Sequence, residues 1–276
     1  MTIRLLLLSL LLFSGWAWAD PEFKNPVEVR WAKLGDGWGI YARNILGNDM
    51  AVTVEFTNNE NIASNPPLPH SKTVPGGQEI LFAQLRRANP NKRWAFNYNY
   101  FWNYGNIEAR HDDSVVYQLP YQSGDSYKII QGFHGAFSHT GDDEFALDFG
   151  MPEGTPILAC RGGTVAHVEQ RYTKGGPTDY HRNRVNVIRI RHDDNTIGEY
   201  DHLRHQGAVV AAGEVVQAGQ LIGYSGNTGF STGPHLDFVV YRARDGRKRQ
   251  SYPIRFHVAG SYQPVEPQQG ETYIAP

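Results

Sequence analysis

The chain is poor in the features that usually declare a protein's class. It has one cysteine, Cys160, so no disulfide can form within it and the fold must rest on buried apolar surface. In an oxidising compartment a lone thiol is either buried or a link to a partner. Cys160 sits in the apolar stretch Pro156-Ile-Leu-Ala-Cys-Arg161, which favours burial, and a catalytic thiol would need an activating base beside it. Charge of one sign is also lacking. Lys and Arg total 26 against 28 Asp and Glu, a net charge of -2, so there is no basic excess of the kind that nucleic acid attracts. Long apolar runs are almost absent. The one candidate, Leu5 to Phe13, falls short of the ~20 residues that span a bilayer, so no stable membrane span is expected.

That run does fit another pattern. Arg4 precedes it, and Ala17-Trp18-Ala19 places small residues where a signal peptidase reads. Residues 1–19 are therefore expected to be a secretory signal peptide cleaved after Ala19. The mature protein is expected outside the cytoplasm, in the periplasm or at the cell envelope.

Aromatic residues are plentiful: 15 Tyr, 13 Phe and 6 Trp, and rings favour strands. The remaining chain is long enough for two domains of about 100–150 residues. From Glu28 to about Gln122 it reads as short strands, with no long stretch at the helical period. Val29 to Ile40, Met50 to Phe56, Glu79 to Leu85 and Arg93 to Trp102 alternate apolar with polar or carry strand formers. Breakers such as Asn65-Pro-Pro-Leu-Pro69 and Pro75-Gly-Gly77 separate them. This spacing predicts an antiparallel sandwich over residues 20–122. Its most aromatic part, Trp94 to Trp102, is either a stacking platform for sugar or peptide or a core strand with one ring-bearing face. The second reading is favoured because rings are ordinary strand formers.

Ser123-Gly124-Asp125-Ser126 is the best boundary. A second, strand-rich domain is expected over residues 126–245, with a polar surface tail at 246–276. Gly198 interrupts one strand, as a bulge or a close backbone approach would. Within this half several polar residues are oddly placed. His235 and Asp237 are separated by one residue, so on a strand they project from the same face. Asp148 lies between Leu147 and Phe149, where an unpaired carboxylate is costly. His139 and His202 complete a set of imidazoles and carboxylates suited to a divalent metal such as zinc.

The order of motifs sharpens this. Asp148-Phe-Gly-Met-Pro-Glu-Gly-Thr-Pro-Ile-Leu-Ala159, Glu199-Tyr-Asp-His-Leu203, Gly213-Glu-Val-Val-Gln-Ala-Gly-Gln-Leu-Ile-Gly223 and Gly226-Asn-Thr-Gly-Phe-Ser-Thr-Gly-Pro-His-Leu-Asp-Phe238 follow one another. From about Phe137 to Tyr241 the chain resembles the lysostaphin/LytM-type zinc endopeptidases. The resemblance implies a compact antiparallel β domain with one zinc ion in a groove, cutting peptide bonds in the peptide portion of bacterial peptidoglycan. It implies that His139 and Asp148 are the first two metal ligands, across a gap wider than in the family's short form, with His134 as rival to His139. It also implies that His202 and His235 are the non-ligand histidines that orient water and steady the transition state. His167, His181, His192 and His205 are expected to be structural or solvated.

The chain departs from the pattern at the third ligand. The family has His-x-His there, and here the second histidine is Asp237. Two readings follow. Aspartate is itself a zinc ligand, and a set of one His and two Asp would be harder and less selective for zinc over other divalent ions. Alternatively the site has lost its metal, and the domain binds peptidoglycan or activates another hydrolase. The substitution by another ligand type and the persistence of the other four groups favour the metalloenzyme. A protein regulator is conceivable, and the sequence names none.

Overall fold

A computed structural model describes residues 25–276. The expected leader at residues 1–19 lies outside the described residues. Among these, helix is confined to two single 3-10 turns, Gly141–Asp143 and Asp179–His181, and no helix is long and apolar enough to cross a membrane.

The first unit is built from β1 (Val27–Leu34), β2 (Gly37–Asn44), β3 (Met50–Glu60), β4 (Ile62–Asn65), β5 (His70–Val74), β6 (Glu79–Arg87) and β7 (Ala95–Tyr104). They form two antiparallel sheets, ordered β1-β2-β6-β4 and β5-β3-β7. The stretch expected as one strand from Val29 to Ile40 is a hairpin, because Gly35 takes a φ of 54° at the turn. Val27, Ile40, Val52, Val54, Phe82 and Leu85 fill the space between the sheets. Phe96, Tyr98, Tyr100, Trp102 and Tyr104 alternate along β7 and all pack on that core, as Trp94 does just before it. The strand's two-residue period thus sends one aromatic face inward. This is the core-strand arrangement, although Trp31 at the end of the cluster stays 43% exposed.

The second unit contains β8 (Val116–Gln118), β9 (Ser126–Gln131), β10 (Leu147–Gly150), β11 (Pro156–Leu158), β12 (Gly163–Glu169), β13 (Val187–Arg191), β14 (Ile197–Asp201), β15 (Val215–Val216), β16 (Leu221–Tyr224), β17 (Leu236–Ala243), β18 (Arg249–Ser251), β19 (Arg255–His257) and β20 (Thr272–Ile274). The main sheet runs β15-β12-β13-β14-β17-β10-β9-β20, and β18 extends β17. Its apolar side, with Phe149, Ile188, Ile190, Tyr200 and Phe238, closes over β11-β16 and the β8-β19 pair. Cys160 is buried there, as expected, and burial pushes its thiol pKa up.

The core does not follow the expected boundaries. Tyr117, Leu119 and Tyr121, assigned to the first domain, are buried in the second core. The stretch from 246 onward is not a surface tail: Phe256 and Ile254 are buried, β20 pairs with β9, and β19 pairs with β8. Its few apolar residues are spaced among prolines and polar groups, so its burial depends on partners far off in sequence. The two units meet where the β17–β18 turn rests on the outer face of β3 and β7. There Gly246 N–H donates to Thr53 Oγ1 at 2.8 Å, and the Arg247 guanidinium lies 3.5 Å over the Phe101 ring.

Gly198 marks a close approach rather than a bulge. It pairs in register with Ile190 and Val240, and a Cβ added there would lie 2.8 Å from His192 Nε2 and 3.5 Å from Phe238. His192 is buried and held through Nδ1 to the Gly162 carbonyl at 2.9 Å; burial pushes its pKa down to about 4, so it is neutral. The ring is fully buried and tied to a carbonyl, so it can move away only by disturbing that bond or its neighbours. Gly198→Ala is expected to destabilise the protein by ~1–3 kcal/mol, the usual effect of overpacking a filled core. Equilibrium denaturation checks this, and an unchanged midpoint would contradict it.

Candidate metal centre

Three adjacent strands build the site. In the sheet order β14-β17-β10, Asp237 is the register partner of Asp201 on one side and of Asp148 on the other. Directly paired residues on neighbouring strands share a face, so three carboxylates form a row across the sheet. The loop between β9 and β10 brings His139 over this row. His139, Asp148 and Asp237 each offer a ligand atom, all within 4.8 Å of one another, the sole such group among the described residues. His139 Nε2 lies 3.3 Å from Asp148 Oδ1. His139 Nε2, Asp148 Oδ1 and Asp237 Oδ1 are buried and lack hydrogen-bond partners. Such atoms want a cation.

His202 and His235 stand on the same side, their ring centroids 4.4 Å apart, with His235 Nε2 3.8 Å from Asp148 Oδ1. A shared device orients all three histidines. Nδ1 meets a backbone carbonyl in each: His139 that of Gly132 at 2.9 Å, His202 that of Thr228 at 2.6 Å, His235 that of Gly233 at 2.8 Å. A neutral ring that donates from Nδ1 presents the Nε2 lone pair to the centre. His202 follows directly on β14 with a φ of 64°, a left-handed conformation uncommon outside glycine. Asn186 and Thr228 hold this bend: Asn186 Nδ2 and Thr228 Oγ1 donate to the Leu203 carbonyl at 3.2 and 2.7 Å.

The electrostatics follow from the crowding. Burial disfavours the His139 imidazolium, but Asp148 and the Asp237 charge outweigh that and push its pKa up to about 9. Burial and the Asp148 carboxylate hold the Asp237 pKa above the usual range; burial and Glu199 do so for Asp201. His202 is pushed down to about 4, by burial first and then by His235, and stays neutral. These values carry a prediction for the metal-free protein. A raised folded pKa means that stability from His139 is fully present below about pH 6.5 and is lost as pH rises through about 9. Metal uptake runs the opposite way, since the imidazolium must lose its proton. Zinc affinity is expected to rise at least tenfold per pH unit as pH climbs towards about 9, since the Asp237 carboxyl, also held above its usual pKa, must give up its proton as well. Chelator competition across this range checks the slope, and a flat profile would contradict a protonated His139.

Every site residue expected from sequence is thus close to the others. The rival His134 is not: it faces Glu144 at 3.8 Å, with its side chain largely exposed. His167 packs 4.9 Å from the Tyr104 ring, and burial pushes its pKa down to about 4. His181 and His205 line a polar cleft of about 420 Å³ with Glu153, Lys174, Asn227 and Thr228. Asp201, Asn186 and Thr228 were not assigned roles from sequence, though all lie in or beside the family-like segments. Phe137, 64% exposed, stacks 5.9 Å from Phe230, joining the loop that leads into His139 to the loop that leads into His235.

The sequence profile of peptidase family M23 matches residues 143–251, a segment that holds Asp148, His202, His235 and Asp237 and begins just past His139. The chain is 38% identical over 95 residues to an "uncharacterized metalloprotease" of Buchnera aphidicola, covering 34% of this chain and 22% of that protein. It is 32% identical over 132 residues to lysostaphin of Staphylococcus simulans, covering 47% and 23%. To peptidoglycan DD-endopeptidase ShyA of Vibrio cholerae it is 37% identical over 98 residues, covering 35% and 20%. The matched stretch thus spans under a quarter of each of these relatives. A solved structure of lysostaphin from S. simulans aligns with a TM-score of 0.34 at 31% identity, covering 45% of this chain and 47% of that one.

Proposed function

From a peptidase family M23 domain at residues 143–251, we propose that this protein is a metal-dependent endopeptidase that hydrolyses peptide bonds in bacterial peptidoglycan outside the cytoplasm. The observation that carries the reading is the convergence of His139 Nε2 and the Asp148 and Asp237 carboxylates, buried and unpartnered, beside two histidines whose Nε2 atoms face them. One imidazole and two carboxylates fit a divalent ion, zinc foremost. An ion held there would supply Lewis-acid polarisation of the scissile carbonyl and acidify a water.

The chain's own groups do the rest. His202 is neutral at working pH, with Nδ1–H spent on the Thr228 carbonyl, so its Nε2 is free to take the proton of the attacking water. His235, tied in the same way to Gly233, offers a second Nε2 on the same side; the pair supplies the base and the group that steadies the developing oxyanion. Substitution of Asp237 for the family's histidine makes the set more anionic and weakens its preference for zinc over oxygen-seeking ions. Elemental analysis of the purified protein and digestion of purified peptidoglycan test the reading together. A bound divalent ion with released peptides supports it. A metal-free protein that releases nothing would leave a module that binds peptidoglycan or activates another hydrolase.

A further inference from the structure

The loop from His139 to Asp148 carries two of the three proposed ligands, and it has few internal fastenings. Within it, Asp143 N–H donates to Thr140 O at 3.3 Å and Ala146 N–H to Asp143 O at 3.0 Å. One fastening comes from just past β9, where the His134 N–H donates to the Glu144 carbonyl at 2.6 Å; the others come from the far end of the domain. Arg249, on β18, donates its backbone N–H to Asp142 Oδ2 at 3.0 Å and its Nε to Asp143 Oδ1 at 2.5 Å. Two residues on, Ser251 Oγ accepts the Phe145 N–H at 3.2 Å. One short strand therefore grips the loop at three successive points.

The same guanidinium reaches the strand that leads to His202. Arg249 Nη1 donates to Glu199 Oε1 at 2.7 Å, and the guanidinium carbon lies 4.5 Å from the centre of the Tyr241 ring. Glu199 is buried on β14, two residues before Asp201 and three before His202, and its other oxygen accepts from Arg189 and from the Tyr241 hydroxyl. Burial would raise the Glu199 pKa, but Arg189 and Arg249 hold it down at about 2. Arg249 is thus a half-buried cation between two acids on different elements. One belongs to the loop carrying His139, the other to the strand leading to His202. A fork with fixed N–H directions satisfies both at once, which a lysine ammonium does not.

We propose that Arg249 is a positioning residue for the metal centre: through Asp143 it fixes His139 over the carboxylate row, and through Glu199 it locks that loop to the base-bearing strand. This role rests on the metal-centre reading above. It also gives the wide His139–Asp148 spacing a physical support, since a longer loop must be held from outside to keep its ligand in place.

The test measures zinc affinity by chelator competition on the full mature chain, with melting temperature in chelator as the control. Arg249→Lys and Asp143→Asn are each expected to weaken zinc binding about 10- to 100-fold, the range seen when outer partners of a metal ligand are removed. The double variant is expected to bind scarcely worse than the worse single, because both remove one linkage. Asp143 lies on a partly exposed turn, so Asp143→Asn keeps the test open if Arg249→Lys fails to fold. Variants that melt lower in chelator yet bind zinc as tightly as wild type would overturn the positioning role and leave Arg249 a stability residue. Wild-type protein that binds no zinc would overturn the metal centre itself, and the role with it.

Discussion

Asp237→Ala is expected to weaken divalent-metal binding by more than about 100-fold, beyond the roughly 10–100-fold lost with an outer-shell partner. The variant would leave only His139 and Asp148 of the three converging groups. The metal-free protein should respond in the opposite sense. Asp237 Oδ1 is buried without a partner, and burial beside Asp148 holds its carboxyl above the usual pKa, so in chelator its loss removes a costly buried polar group and raises the melting temperature. The companion variant, Asp237→His, restores the softer donor and is expected to shift preference towards zinc over manganese. Chelator competition with both ions, run beside melting curves with and without metal, checks the whole set. Equal zinc affinity in wild type and Asp237→Ala would remove Asp237 from the metal centre. Hydrolysis that appears only in Asp237→His would mark the natural protein as a binding module.

The second large effect is expected at His202. Its ring is fixed by the Thr228 carbonyl, kept neutral by burial, and placed 4.4 Å from His235, yet it is not one of the three converging ligands. His202→Ala should therefore retain the metal while peptidoglycan hydrolysis falls about 10²–10⁴-fold, the contribution typical of a positioned acid–base group. Metal stoichiometry and the rate of peptide release separate the two properties. A variant that loses its metal would instead make His202 a ligand, and an unchanged rate would assign the proton transfer elsewhere. Because His202 adopts a left-handed backbone, His202→Asn is a useful second variant: asparagine tolerates that conformation but cannot reproduce the imidazole's reach.

Much of this arrangement was legible in the sequence because it depends on local spacing. His235 and Asp237 share a face wherever the strand lies, because the side-chain period of a strand is two. The rings from Trp94 to Trp102 pointed to a core strand with one ring-bearing face, because aromatic residues are ordinary strand formers. Asp148 between apolar neighbours announced a buried carboxylate in need of a counter-charge. The glycine at 198 signalled either a bulge or a close approach; that it is an approach, and that the ring concerned is His192, could not be named from sequence alone.

What the sequence left unresolved depends on contacts between distant segments. His134 and His139 are both plausible first ligands by spacing; the fold turns His139 inward by tying its Nδ1 to Gly132 and leaves His134 facing Glu144. Nothing near Asp201 marks it as a neighbour of Asp237, because strand register is set by the whole sheet rather than by either strand. Arg249 reads as one cation in a polar stretch until β18 folds back beside β17 and sets it between Asp143 and Glu199. The same return of the chain buries Phe256 and pairs β20 with β9, in a region whose composition suggested a polar tail packed on the surface. By itself the sequence determined the β class and the shared face of His235 and Asp237, since these follow from residue type and a two-residue period, while the resemblance in motif order pointed to Asp148, His202 and either His134 or His139. The tertiary structure alone decided which histidine faces the carboxylates, which third carboxylate joins their row and which arginine holds the loop. Those outcomes are set by pairing between strands that the chain separates by up to a hundred or more residues.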